Sequence, residues 1–286
     1  MLYLYLLILL SGAIMGFSSL VEKKALIEEH ATAFSASFSI ITALLSLIFL
    51  PFTSMKVSAI DLGLIYLVSL ISTITYILTA RVYKHSNISI ASPLFSSVPQ
   101  LLIVIFAFVF LSEKLTLVRY FSIAVIILSV YIIMFRTKSK KSAFKSLKYV
   151  YIMFVDLVLM AASAILMKYT LFSVPPFTYL IIAEFFIAAN MLAYISIRYG
   201  GPKEVVNNIS KFWAPIFLVS GLTIIYRATY YFALVNTFVS IASPLRNGVE
   251  VLIAVSGGGF MFGEKSIGIK LIFSAIIIIA IYFLVV

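Results

Sequence analysis

The sequence predicts an all-α integral membrane protein of ten transmembrane helices, arranged as two inverted five-helix repeats. Three observations predict it. The first is composition: 63% of the 286 residues are hydrophobic and 11% are charged, where a soluble domain is about half apolar and about a quarter charged. The second is punctuation: apolar runs near the ~20 residues that cross a bilayer alternate with short polar breaks. The third is a repeat. The hexapeptide SIASPL stands at 89–94 and again at 240–245, 151 residues on, and Glu113-Lys114 recurs as Glu264-Lys265 at the same offset.

The spans fall at 2–22, 31–50, 59–82, 88–111 and 116–135, then at 149–171, 177–198, 210–235, 239–262 and 266–285. The first has no basic n-region and no small-residue cleavage pattern, so it reads as a span and not a signal peptide. Pro51, Pro175, Pro176 and Pro202 fall between spans, where helices stop. Pro93, Pro99 and Pro244 fall inside spans, where neighbouring helices resatisfy the freed carbonyl. In each copy SIASPL opens a span and Glu-Lys follows its end. Residues 18–23 and 163–168 align loosely at an offset of 145, and the missing six residues fit a longer loop at 200–208. The organisation is therefore a first five-helix repeat over 1–135, a basic linker over 136–148 and a second repeat over 149–286. Five is odd, so the second repeat enters the membrane from the opposite side and the halves are inverted.

With these features on the page, the chain resembles the drug/metabolite transporter superfamily, EamA-like branch. The resemblance covers nearly the whole chain. It is carried most clearly by SIASPLFSSVPQLLIVIFAFVFLSEKLT and SIASPLRNGVEVLIAVSGGGFMFGEKS, with Ser112-Glu113 standing where Gly-Glu is usual. It implies a carrier of small organic solutes such as amino acids, nucleotide sugars and sugar phosphates. It also implies a central cavity lined by spans one, three, four, six, eight and nine.

Charges inside spans are costly, ~2.5–3.5 kcal/mol on insertion scales, and so mark functional candidates. Five lie well inside: Asp156, Glu184, Arg227, Arg246 and Glu250, all in the second half. Their repeat partners Ser11, Ser39, Tyr76, Phe95 and Pro99 are uncharged, and that asymmetry suits a substrate without two-fold symmetry. Arg246 and Glu250 are four apart and share a helix face with Ser243 and Asn247 nearby. Arg246 offers a planar fork for carboxylate or phosphate, and Glu250 could take an amine or a proton. The opposing reading is an ion pair that makes both tolerable. Tyr226, Arg227 and Tyr230 form a candidate cavity wall, with Glu250 one available ion-pair partner for Arg227. Asp156 is a second candidate proton-coupling carboxylate. Glu184 reads as peripheral. Gln100, with Ser96 or Ser97, and Tyr76 are candidate neutral substrate contacts. Gly12, Gly16 and Gly257 to Gly259 suit close helix approach, and Pro93 and Pro244 suit packing or hinging.

Net charge is +11, yet six of the basic residues lie in 136–148 and most others at span ends, which fits topology and lipid rather than nucleic acid. Counting Lys and Arg by loop gives fifteen on the linker side against four opposite. The positive-inside rule then puts the linker in the cytoplasm and both termini outside, in a multi-pass protein of the plasma membrane. There is no Cys, and the two His, His30 and His85, lie near helix ends. No metal, cofactor or catalytic constellation is expected, nor any G-x-x-x-x-G-K-[ST] phosphate loop. The favoured function is a secondary transporter of small polar or amphipathic solutes, amino acids first, with protons as a candidate co-substrate. Alternatives are a facilitative exchanger of sugar phosphates or nucleotide sugars, a passive channel and a structural membrane subunit. A monomer or a homodimer fits equally.

Overall fold

The computed structural model describes residues 2–28, 31–54, 56–85, 88–136 and 147–262, and then 272–273, 275–277, 279–280 and 283. The described chain is helical, with no strand. In order the helices are α1 (Leu2–Glu28), α2 (Ala31–Ser46) continued by a 3-10 turn (Leu47–Phe52), α3 (Ala59–His85), α4 (Ile88–Leu111), α5 (Leu117–Arg136), α6 (Leu147–Thr170), α7 (Pro176–Arg198), α8 (Pro202–Val235) and α9 (Val239–Phe262). The described positions of the expected tenth span are helical. Most of the 136–148 linker, Glu264-Lys265 and much of the tenth span lie outside the described residues.

Six stretches among the described residues are long and apolar enough to cross a bilayer: α1, α2 with its 3-10 turn, α3, α6, α7 and α8. The surface agrees with that environment. Leu6, Phe17, Phe108, Phe110, Phe121, Tyr151 and Phe154 point outward, while Ser11, Ser37, Ser69, Thr170 and Ser220 are buried. Apolar outside and hydroxyl inside is the pattern of helices solvated by lipid, where small polar residues let helices approach and bond. The chain is an integral, multi-pass membrane protein.

Helices pack largely against the other half of the chain. α1 lies against α8 and α9, α6 against α3 and α4, α2 against α7 and α8, and α4 against α9. Two glycines make the α1–α9 approach possible. A β-carbon on Gly12 would collide with the Arg246 carbonyl, and one on Gly16 would come within 2.8 Å of the Glu250 carbonyl and 2.7 Å of Ile253 Cβ. Leu20 then covers Gly257 one turn further on.

Three expectations are corrected. The 200–208 stretch is not a loop: Pro202 at the first helical position, preceded by Gly201 at φ +71° and followed by Glu204 in the first turn, starts α8 there. The helix kinks at Phe212, just ahead of Pro215, whose ring cannot bond the preceding turn. Pro51 does not end its span but sits inside the 3-10 turn. Helices α1 and α3 run on to Glu28 and His85, so Lys23, Lys24, Arg81 and Lys84 are on helices and not in loops.

The Ser112 departure has a structural meaning. Ser112 adopts φ +55° at the end of α4, and the Glu113 N–H donates back to the Ala107 carbonyl at 3.2 Å. This is a left-handed helix stop in which glycine is the unstrained residue. Ser112→Gly should therefore raise the thermal unfolding temperature in detergent, by about 1 kcal/mol of stability; a lower temperature would contradict the reading. Gly16→Val should lose about 1–3 kcal/mol by wedging α1 off α9, read the same way.

Candidate functional site

The site is built outward from the start of α9. The Glu113 carboxylate accepts from the Val239 N–H at 2.9 Å, from the Ser240 N–H at 3.0 Å and from the Ser240 hydroxyl. These are the orphan donors of a helix start, where a carboxylate also meets the positive end of the dipole. Lys168 does the reverse for α8, donating to the Leu234 carbonyl at 2.7 Å and the Val235 carbonyl at 3.1 Å. Both charges are buried. Lys168 is thus a helix cap and not the loop charge counted for topology.

Thus anchored, α9 presents Arg246, Asn247 and Glu250 to the interior. The Arg246 guanidinium lies 3.9 Å from the centroid of the Tyr230 ring, and its Nε donates to Asn247 Oδ1 at 3.3 Å. Glu250 is buried and accepts from the Ser19 hydroxyl at 3.1 Å. Gly16 makes that possible: its close approach puts Ser19, one turn later, over the Glu250 carboxylate. No ion pair joins Arg246 and Glu250 among the described residues. Arg246 stands within electrostatic range of Glu250, but the hydrogen-bond partner of each is neutral, so the pairing considered from the four-residue spacing does not form as a contact ion pair. Tyr226 sits beside Arg246, with its carbonyl accepting from Ser11 at 2.7 Å.

Arg227 takes a different partner from the one considered. It forms an ion pair with Glu184 of α7, not with Glu250. Glu184 is 1% exposed, so its peripheral reading is corrected: an acid on this face of α7 has no water to snorkel to and finds a guanidinium. The Tyr76 ring faces Arg227 at 5.6 Å, and the buried Tyr76 hydroxyl has no hydrogen-bond partner among the described residues. Beside the pair is a small cavity of about 50 Å³ walled by Ser69, Ser72, Ser163, Tyr179, Tyr231 and Arg227. Its walls come from α3, α6, α7 and α8, so α7 takes a share that the resemblance did not give it.

The structure thus gathers Tyr76, Glu184, Tyr226, Arg227, Tyr230, Arg246, Asn247 and Glu250 around one interior region. It adds Glu22 of α1, within electrostatic range of Glu250, Arg227 and Tyr226, which sequence reasoning missed by ending the span at residue 22 beside two lysines. Asp156 stands apart between α6 and α3. It is fully buried and accepts from Thr79 at 2.7 Å, while its other oxygen has no hydrogen-bond partner among the described residues. Gln100 is buried on α4, with no hydrogen-bond partner for its side-chain oxygen among the described residues. Pro93 and Pro244 lie within α4 and α9. The side chains of Pro93, Ser96 and Ser97 lie outside the described residues. No cluster of His, Asp or Glu fit to hold a metal occurs among the described residues.

Comparison with known proteins finds likenesses to this architecture. Residues 2–135, the whole first half, match the EamA-like transporter family. The first half of the chain is thus similar to a family of membrane transporters. No curated protein matches the chain. Among solved structures, one described only as "Crystal structure of protein" aligns with a TM-score of 0.73 and 13% identity, over 96% of this chain and 95% of its own. At that identity the likeness shows the fold alone, and it extends across both halves.

The Arg227–Glu184 pair yields a stability prediction. Glu184→Gln leaves a guanidinium buried without its counter-ion and should cost about 3–5 kcal/mol. Adding Arg227→Gln should recover much of that. Thermal unfolding in detergent of the two single variants and the double variant reads the coupling; additive losses would contradict it.

Proposed function

We propose that the chain is a secondary transporter of small polar or amphipathic organic solutes, amino acids or related metabolites first among them. It works by alternating access through a midplane site between two inverted halves. One observation carries the substrate reading: Arg246 and Glu250 lie one turn apart in the interior, with no contact ion pair between them among the described residues and a neutral hydrogen-bond partner on each. A carboxylate can meet the guanidinium fork while an amine meets Glu250. Glu250 is about eleven residues into α9, or ~16 Å, near mid-bilayer. Tyr226 and Tyr230 supply flat walls for an amphipathic body, with Tyr76, Gln100 and Asn247 as neutral polar contacts.

The packing supports the two-half arrangement over 1–135 and 149–286. The α1 contacts with α8 and α9 have their counterpart in the α6 contacts with α3 and α4, and α2 with α8 in α7 with α3. The pairs α2–α7 and α4–α9 are their own counterparts. Such exchange is what a two-fold axis in the membrane plane produces. Glu250 and the half-partnered Asp156 are the candidate proton-coupling carboxylates. A second reading, a facilitative exchanger of sugar phosphates or nucleotide sugars, is favoured by the two arginines set against tyrosine rings, which suit phosphate beside a flat group. The plasma membrane, with the 136–148 segment in the cytoplasm, fits the loop charge.

In proteoliposomes, uptake of a labelled amino-acid mixture should follow an imposed pH gradient and fall at least about tenfold in Glu250→Gln, the loss of one charge-assisted contact. Equal uptake in both proteins without regard to the gradient would remove Glu250 from the mechanism. Uptake of sugar phosphates alone would favour the second reading.

A further inference from the structure

We infer that Glu113 is a latch between the two halves: it closes the end of the protein where α4 and α6 finish, and it must release before the α9 site can open to that side. The inference rests on the alternating-access reading.

The turn between α8 and α9 is held twice, and the two holds differ in kind. Lys168 ties the end of α8 to α6, and all of these belong to the second half. Glu113 belongs to the first half, yet it makes its three contacts on the first two residues of α9. If the halves rock apart at this end, the Lys168 contacts can travel with the second half, whereas those of Glu113 must break.

The chemistry suits a contact that opens and closes. A carboxylate and two backbone N–H groups parted from each other are taken up by water. An apolar seal of similar size would expose surface that water resists. Closure is specific because the carboxylate is aimed. The left-handed turn at Ser112 sets the direction of Glu113, and both its oxygens find partners. The latch also stands in the right place. Ser240 is ten residues, or ~15 Å of helix, from Glu250, so it lies between the site and this end of the bundle. Ser243, between them, is 2% exposed. It is closed off while the latch is made.

The repeat explains why Glu-Lys and SIASPL recur as a set. The acid that follows one copy of the hexapeptide helix, α4, caps the start of the other copy, α9. A motif kept for its own span would cap its own helix.

The chain has no cysteine, so one introduced thiol reports alone. Ser243→Cys in proteoliposomes is treated with a membrane-impermeant maleimide, with thermal unfolding measured on each protein. Adding Glu113→Gln should speed labelling about tenfold or more, as expected for losing a charged hydrogen-bonded contact. Ser240→Ala, which removes one of the three contacts, should give a smaller increase and serves if Glu113→Gln does not fold. Lys168→Met should lower the unfolding temperature without a matching rise in labelling. The inference is overturned if labelling is unchanged by Glu113→Gln and Ser240→Ala, or if Lys168→Met speeds it equally. Labelling needs no substrate. A protein that labels as expected but takes up nothing in the uptake assay would count against the transport reading and leave the latch standing.

Discussion

Everything in this molecule follows from one constraint: a charge placed inside the bilayer must find a partner on another helix. Water is absent there, and the backbone of a helix is already satisfied within itself. Only side chains and helix ends remain to compensate. Each interior charge with a resolved partner meets it across a helix gap. Arg227 on α8 takes Glu184 on α7, Glu250 on α9 takes Ser19 on α1, and Asp156 on α6 takes Thr79 on α3. The two charges nearest the turn between α8 and α9, Glu113 and Lys168, take helix ends instead. Polar contacts therefore fix which helices are neighbours, while apolar surface, alike on every helix, cannot.

The same constraint divides the interior by role. A cation tied to an anion is satisfied, as Arg227 is by Glu184. Arg246 is different. It rests on a tyrosine face and an amide oxygen, which stabilise a guanidinium without neutralising it. The contrast between the two arginines, only one of which makes a contact ion pair among the described residues, is the reason substrate recognition is proposed on α9. Gly12 and Gly16 support that proposed site though neither could touch a solute, since they let α1 lie close enough for Ser19 to hold Glu250.

Much of the fold was legible because the bilayer imposes a length on each span. The bounds of α4 and α9 were read to the residue, since SIASPL begins each and a polar break ends it. The four charges on α7, α8 and α9 were legible for the same reason: nothing else excuses a charge in an apolar run. What escaped were residues beside polar breaks. Glu22, Glu113 and Lys168 sit next to other charges or at span ends, and the local pattern gives such residues to water. Only three-dimensional packing turns them inward. The start of α8 was lost because Gly200, Gly201 and Pro202 read as a loop, although proline after glycine also opens helices. Partner choice was the least legible feature. Spacing along one helix allowed Arg246 with Glu250 as an opposing reading, but packing set a Tyr230 ring against Arg246 and the Ser19 hydroxyl against Glu250.

The central claim is that a site between two halves faces one side of the membrane at a time. Counterflow tests it most directly. Purified protein is reconstituted into vesicles preloaded with an unlabelled amino-acid mixture, and entry of the labelled mixture is followed against empty vesicles. The account predicts saturable entry that preloading accelerates, with both features lost in Arg246→Gln. Entry that rises linearly with concentration and ignores preloading would contradict it and point to a continuous pore.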